Sequence, residues 1–119
     1  MSSTYKITRT YSDAYGDSHF EDITVPLKDS GPIGFLSEPE AVKDIIFRKV
    51  TEEYDYDFHN APDRQYIALM DGEIEIETSL GAIRQFVPGD VLLVEDTTGK
   101  GHRSRNLKKA VRSSIFIRF

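Results

Sequence analysis

Cysteine and tryptophan are both absent from this sequence. The missing thiols exclude disulfides, thiolate metal sites and cysteine nucleophiles, so metal or catalytic chemistry here must rest on histidine, carboxylate, amide or hydroxyl groups. Long apolar runs are missing too, and none approaches the roughly 18 residues that a membrane-spanning helix needs. The opening Met1-Ser2-Ser3-Thr4-Tyr5-Lys6 lacks the apolar segment of a secretory signal, which sets the expectation of a cytoplasmic protein without a membrane partner. Helix signals are scarce. The one candidate, Ser37-Glu38-Pro39-Glu40-Ala41-Val42, has a serine cap followed by acidic residues and proline, but is too short for more than one turn. Repeats and low-complexity tracts are absent, and Lys28 to Gly34, with Pro32 between two glycines, reads as a surface loop.

What is present suits one folded core. The 119 residues make about one ordinary domain. With 39% hydrophobic residues, 29% charged and a mean hydropathy of −0.42, the chain is neither disordered nor membrane-embedded in composition. Net charge is −5, unevenly spread. Residues 100 to 119 hold Lys100, Arg103, Arg105, Lys108, Lys109, Arg112 and Arg118 and no Asp or Glu. Apolar residues interrupt that basic run, as in strands whose outward faces pair with the acidic remainder, and an acidic domain lacks the broad positive footprint of a nucleic-acid binder. No nucleic-acid partner is expected.

Most segments alternate apolar and polar residues or run short and β-branched, breaking at Gly, Pro and Asp. Gln65 to Thr78 reads as the clearest strand, with Ile67, Leu69, Ile74 and Ile76 on one face, Glu73, Glu75 and Glu77 in water, and a bend or bulge at Asp71-Gly72. Thr78-Ser79-Leu80-Gly81 predicts a hairpin turn into Ala82 to Phe86, and Val87-Pro88-Gly89-Asp90 a turn into Val91 to Val94. Further strands are predicted at Asp44 to Val50 and Ser113 to Phe119, a weaker one at Ile23 to Leu27, and an arm at Lys6 to Tyr11. About eight short strands in so small a chain predict an all-β sandwich or barrel.

Three histidines stand at positions 19, 59 and 102. His59 precedes the strand that begins at Gln65, and His102 follows Val91 to Val94 through a glycine-containing loop, so the two meet if those segments pair. His19 reads as a surface residue. Glu95-Asp96-Thr97-Thr98-Gly99-Lys100-Gly101 places carboxylates just before His102, and a carboxylate beside an imidazole fixes its tautomer. The same residues also fit a plain turn in which Asp bonds its own backbone. Gly99-Lys100 lacks the spacing and following helix of a phosphate loop.

Residues 45 to 119 resemble the cupin superfamily, small jelly-roll β-barrels in which two short motifs bring metal ligands to the interior. In the first motif, His59 fills the first place, Ala61 stands where a second histidine is usual, Gln65 where a glutamate is usual, and Gly72 closes it. In the second, Gly89 opens, Thr97 replaces a proline in a longer loop, and His102 and Asn106 complete it. The resemblance implies a cupin-like jelly-roll barrel forming a single domain over residues 1–119, with 1–44 as N-terminal arm and first strands and 45–119 as the barrel segment.

By the same resemblance, His59, Gln65 and His102 are the metal positions, for a divalent transition metal such as Fe, Mn, Ni or Zn. Asp63 is a substitute ligand if its strand alternation extends that far. The other reading is a metal-free pocket in which His59 and His102 are an acid/base pair. Gln65, Asp63, Tyr56 and Asn106 are candidate substrate-binding residues. Tyr54 and Tyr66 are the other tyrosines near His59, with Tyr66 facing opposite Gln65. Arg64, Arg84, Arg103 and Arg105 are candidate carboxylate clamps, although alternation turns most of them outward. The expected function is an enzyme of unassigned reaction on a small polar organic molecule (carboxylate, sugar or keto acid), metal-dependent if the site is loaded. The alternative is a non-catalytic binding or sensing module. A homodimer is expected because small sheets leave edges to cover.

Overall fold

The alternating segments pair as strands, and nearly all the regular structure is β. The computed structural model describes residues 3–119. Its strands are β1 (Thr4–Ser12), β2 (Ser18–Pro26), β3 (Lys28–Asp29), β4 (Phe35–Leu36), β5 (Asp44–Val50), β6 (Asp55–His59), β7 (Gln65–Leu69), β8 (Ile74–Thr78), β9 (Ile83–Phe86), β10 (Val91–Val94), β11 (His102–Asn106) and β12 (Arg112–Arg118). One six-stranded sheet runs β2-β1-β10-β7-β12-β5, one four-stranded sheet runs β6-β11-β8-β9, and β3 and β4 form a small separate ladder.

The core lies between the two larger sheets. Leu69, Leu92 and Val94 come from one, Ile74, Ile76 and Phe86 from the other. In β8 the pattern dictates the facing: Ile74, Ile76 and Thr78 are buried while Glu75 and Glu77 alternate with them on the outer side. Each fully buried Leu or Ile contributes about 2 kcal/mol of apolar transfer. Both predicted turns form. Gly81, with φ 88°, closes the β8–β9 hairpin, and at the second turn Asp90 Oδ2 accepts the Val87 N–H at 2.9 Å.

Three expectations change. Gln65 to Thr78 is two strands in different sheets, so Asp71-Gly72 is a bend, as one of the two readings had it, that crosses between layers, and not a bulge in one strand. Gly72, at φ 70°, makes that crossing against Arg112, whose side chain stands 2.9 Å from where a Cβ would be. The N-terminal arm is part of the large sheet, with β1 antiparallel to β2 along its length and parallel to β10. Ser37 to Val42 forms no helix, since a proline in so short a segment without an apolar stripe has nothing to propagate a first turn. The helical turn is instead a 3-10 turn at Gly31–Ile33. Among the described residues no helix is long and apolar enough to cross a membrane.

Candidate functional site

A cavity of about 260 Å³ opens between the sheets. Its walls are largely apolar, from Ile67, Ile74, Ile76, Leu92 and Val94, and its polar groups gather at two places. At one of them His59 and His102 are direct cross-strand partners on β6 and β11, with ring centroids 4.7 Å apart. The pairing that juxtaposes them is therefore β6 with β11, in addition to the predicted pairing of β7 with β10.

A β-bulge aims His59. Between the pairs His59–His102 and Tyr56–Ser104, β6 spends one residue more than β11, so Tyr56 and His59 face the same cavity although strict alternation would oppose them. The bulge is closed by its own groups. Asp57 Oδ1 accepts the Phe58 N–H at 2.8 Å, and the Asp57 carbonyl accepts from His59 Nδ1 at 2.7 Å. Tyr56 stacks on the His59 ring at 3.7 Å and 16°. Burial holds the His59 imidazole below its ordinary pKa, against the opposing effect of the Asp57 carbonyl. Since a carbonyl only accepts, the proton is on Nδ1 and the free lone pair on Nε2.

The second imidazole is fixed by a buried carboxylate. Asp96 is fully buried and its Oδ2 stands 2.5 Å from His102 Nδ1. Of the two carboxylates before His102, Asp96 is the one that meets the ring. Glu95 turns away and accepts from Arg9 and Arg64. Burial pushes its carboxyl up, but those two guanidinium hydrogen bonds outweigh it and leave it below the ordinary carboxylate range. The glycines hold the loop close. A Cβ on Gly101 would stand 2.0 Å from the His59 carbonyl oxygen, and one on Gly99 2.6 Å from the Gly16 carbonyl oxygen. Asn60 Nδ2 and Ala61 N donate to carbonyls of the same loop.

Of the predicted site residues, His59, His102, Gln65 and Tyr56 line the cavity. Gln65 is buried and its Oε1 has no hydrogen-bond partner. Asp63 and Asn106 are not brought to the cavity wall. Asp63 Oδ2 accepts from Arg118 at 3.0 Å. Asn106 donates to the Thr51 and Ala110 carbonyls and accepts from Arg112 Nε at 2.9 Å. Tyr66 faces away as alternation predicts and donates to Glu40, which together with burial pushes its hydroxyl up to about 12. Tyr54 reaches the cavity, its hydroxyl 2.7 Å from Ser104 Oγ. His19, on β2, contacts Asp13 at 2.6 Å.

The arginines that line the cavity are Arg48 and Arg112, and sequence reasoning nominated neither. Both guanidinium groups lie over the Tyr54 ring, at 5.0 and 5.4 Å from its centroid. Arg112 is 3% exposed, and desolvation lowers its pKa. Arg112, Ser114 and Phe116 alternate onto one face of β12, and Arg48 is the register partner of Ser114 on β5.

Among the described residues no group of three or more His, Asp or Glu is placed to hold a metal ion. The donor set that remains is His59 and His102, each with Nδ1 engaged and Nε2 unpartnered, together with the unpartnered amide oxygen of Gln65. Imidazoles whose second nitrogen is anchored to a carbonyl or a carboxylate are oriented as metal-ligating histidines usually are. This neutral set fits a borderline divalent ion, held more weakly than by three histidines and a carboxylate. Comparison with models of known protein families and with curated proteins gave no match.

Proposed function

We propose that this chain is a cupin-like jelly-roll enzyme that moves a proton on a small polar organic molecule bound between its sheets. The strand order supports the jelly-roll reading. From β5 onward, β5-β12-β7-β10 faces β6-β11-β8-β9, the eight-strand, two-sheet pattern of that fold. The observation that carries the chemical reading is the buried Asp96–His102 contact at 2.5 Å beside an in-register His59. Asp96 holds His102 in the Nδ1–H tautomer, so His102 Nε2 is the group available to take a proton from bound substrate. His59, kept neutral by burial, offers a second lone pair 4.7 Å away, ring centre to ring centre. Tyr56 stacks on His59 and keeps its ring in place.

A divalent Fe, Mn, Ni or Zn ion, where bound, would be held by His59, His102 and Gln65 and would supply Lewis acidity toward a substrate oxygen. In either state the protein surrounds the substrate with apolar wall, but the two Nε2 lone pairs are free to take a proton only when they hold no ion. The test is deuterium exchange at the carbon beside the carbonyl of pyruvate and 2-oxobutyrate, followed by NMR, with metal content measured on chelator-free protein. Exchange faster than in buffer, lowered at least about a hundredfold by His102→Ala, is expected. No acceleration with these or with a panel of sugars and carboxylates would leave a binding module in place of an enzyme.

We also propose a homodimer. β5 is an edge of the large sheet and exposes Ile45 at 53% and Phe47 at 77%, and antiparallel pairing with a second copy's β5 would cover both. Light scattering that gives twice the chain mass, reduced to monomer by Phe47→Lys, is the expected result.

A further inference from the structure

The arginines of this protein divide by location. Arg9, Arg64, Arg84, Arg103, Arg105 and Arg118 each meet a carboxylate. So do Lys100, Lys108 and Lys109, which leaves Arg112 as the member of the basic C-terminal group without an ion-paired carboxylate among the described residues, Asp71 acting on it only at longer range. Arg48 has none either, and these two arginines line the cavity. A guanidinium stays charged at every accessible pH, and burying one without an anion is costly unless an anion arrives. Neighbouring groups hold the pair in place without neutralising it. Arg112 Nε donates to Asn106 Oδ1, its stem lies against Gly72, and Tyr54 and Phe116 offer ring faces to Arg48.

The position of Arg112 relative to the imidazoles is set by β11, whereas Arg48, on β5, lies near enough for its charge to act on His59. His102 opens the strand and Asn106, which holds Arg112, ends it. Four residues of strand rise by about 13 Å. Ile76 is the register partner of Ser104, midway along the strand, and Ile67 and Ile74 line the same cavity. Resting on the reading of this cavity as a binding pocket, the geometry points to an anion subsite. Arg48 and Arg112 bind the carboxylate of a small organic acid whose apolar body lies along the isoleucines and whose far end reaches His59 and His102. Planar, forked donors suit a carboxylate, and the apolar wall selects an acid with a carbon chain over a bare anion.

The test uses the full chain with hexanoate, hexanamide, acetate and inorganic phosphate, binding being read by calorimetry. Hexanoate is expected to bind at least tenfold more tightly than hexanamide, acetate or phosphate. Arg112→Met and Arg48→Met are each expected to weaken hexanoate at least tenfold and leave hexanamide unchanged. Should Arg112→Met fail to fold, the partly exposed Arg48→Met carries the same comparison. Equal binding of hexanoate and hexanamide, binding of neither, phosphate matching hexanoate, or hexanoate affinity indifferent to both arginines would overturn the subsite. His102→Ala separates this from the proton-transfer reading. Hexanoate selectivity persists in that variant if the subsite is real, whether or not the histidines prove catalytic.

Discussion

The two ends of the cavity are held by opposite means. At the imidazole end each ring has one nitrogen anchored, His59 to the Asp57 carbonyl and His102 to Asp96, and the loop carrying Asp96 is pressed onto β6. At the guanidinium end two positive charges are placed with no carboxylate at ion-pair distance among the described residues, Asp71 acting on Arg112 only from farther off. One end has its rings oriented in the free protein, although Gln65 Oε1 and Asp96 Oδ1 stay unpartnered there among the described residues, while the other lacks an ion-paired carboxylate until an anion binds. The contrast separates rigidity from stability: the first end should lose fold when disturbed, and the second should gain it.

The largest expected effect is at Gly101. Its φ of 72° disfavours any side chain, and a Cβ there would fall 2.0 Å from the His59 carbonyl oxygen, a backbone atom with no room to yield. Gly101→Ala should cost about 4 kcal/mol in urea unfolding, from strain and overpacking together. Gly81 has a similar φ of 88° with nothing within 4 Å of the Cβ position, so Gly81→Ala should cost only about 1 kcal/mol, the strain alone. Equal losses at the two glycines would break the claim that the loop is held by close approach.

Next comes Asp96→Asn, which keeps the shape and removes the carboxylate. It should lower metal affinity or proton-transfer rate by about 10- to 100-fold, and NMR of the His102 ring should show both tautomers. Single-tautomer His102 in this variant would mean that the loop, and not Asp96, orients the ring. At the other end, Arg112→Met should raise unfolding free energy by about 1 kcal/mol in anion-free buffer, since the charge it removes is buried and unpaired. A loss of stability would say that the Asn106 bond and Tyr54 ring face already compensate the charge.

Part of this contrast was legible in the sequence and part was not. Turn chemistry is local, so Thr78 to Gly81 and Val87 to Asp90 fold as their residues predict. The pairing of Arg103 and Arg105 with acids also follows from alternation. His59 and His102 could be nominated, but the reason they meet is a bulge, and no residue between Tyr56 and His59 announces one. The arginine end is hard to read from sequence because apolar residues of a strand ordinarily take the inward face. Strand β5 does the reverse at its centre, turning Arg48 to the cavity and leaving Phe47 77% exposed. Gln65 to Thr78 misled for the same reason: one apolar face continues through both strands, and only tertiary pairing assigns them to different sheets.

Acid should separate His59 from the exterior carboxylates. Burial holds His59 below its ordinary value near 6.5, so the unfolded chain takes up a proton there before the folded one does. Stability is full above that pH and falls as pH drops toward the folded value, by at most about 1.4 kcal/mol per unit, then levels off. His59→Gln should remove this slope. Asp17 and Asp44 are depressed by hydrogen bonds from Lys100 and Arg118, so their contribution is present above the ordinary carboxylate range and is lost only as pH falls through their lowered values. Urea midpoints taken across both windows resolve the two effects.

The smallest expected effect is on the outer surface, where the charge on a water-exposed guanidinium is paired with a carboxylate that is 14% exposed. Arg105 and Glu75 stand 3.0 Å apart on paired strands, with Arg105 half exposed. Water screens the attraction, and ordering two long side chains offsets part of it. A double-mutant cycle through Arg105→Gln and Glu75→Gln should return a coupling of about 0.5 kcal/mol that fades in high salt. The sign of the comparison with Arg112 matters more than the size. Removing a paired outer arginine weakens the fold slightly, whereas removing an unpaired inner one strengthens it, and that reversal is what an arginine held ready for an absent anion requires. A coupling above about 2 kcal/mol at Arg105 would mean that these exterior pairs bear the fold, and the inner arginines would then lose their distinction as the costly ones.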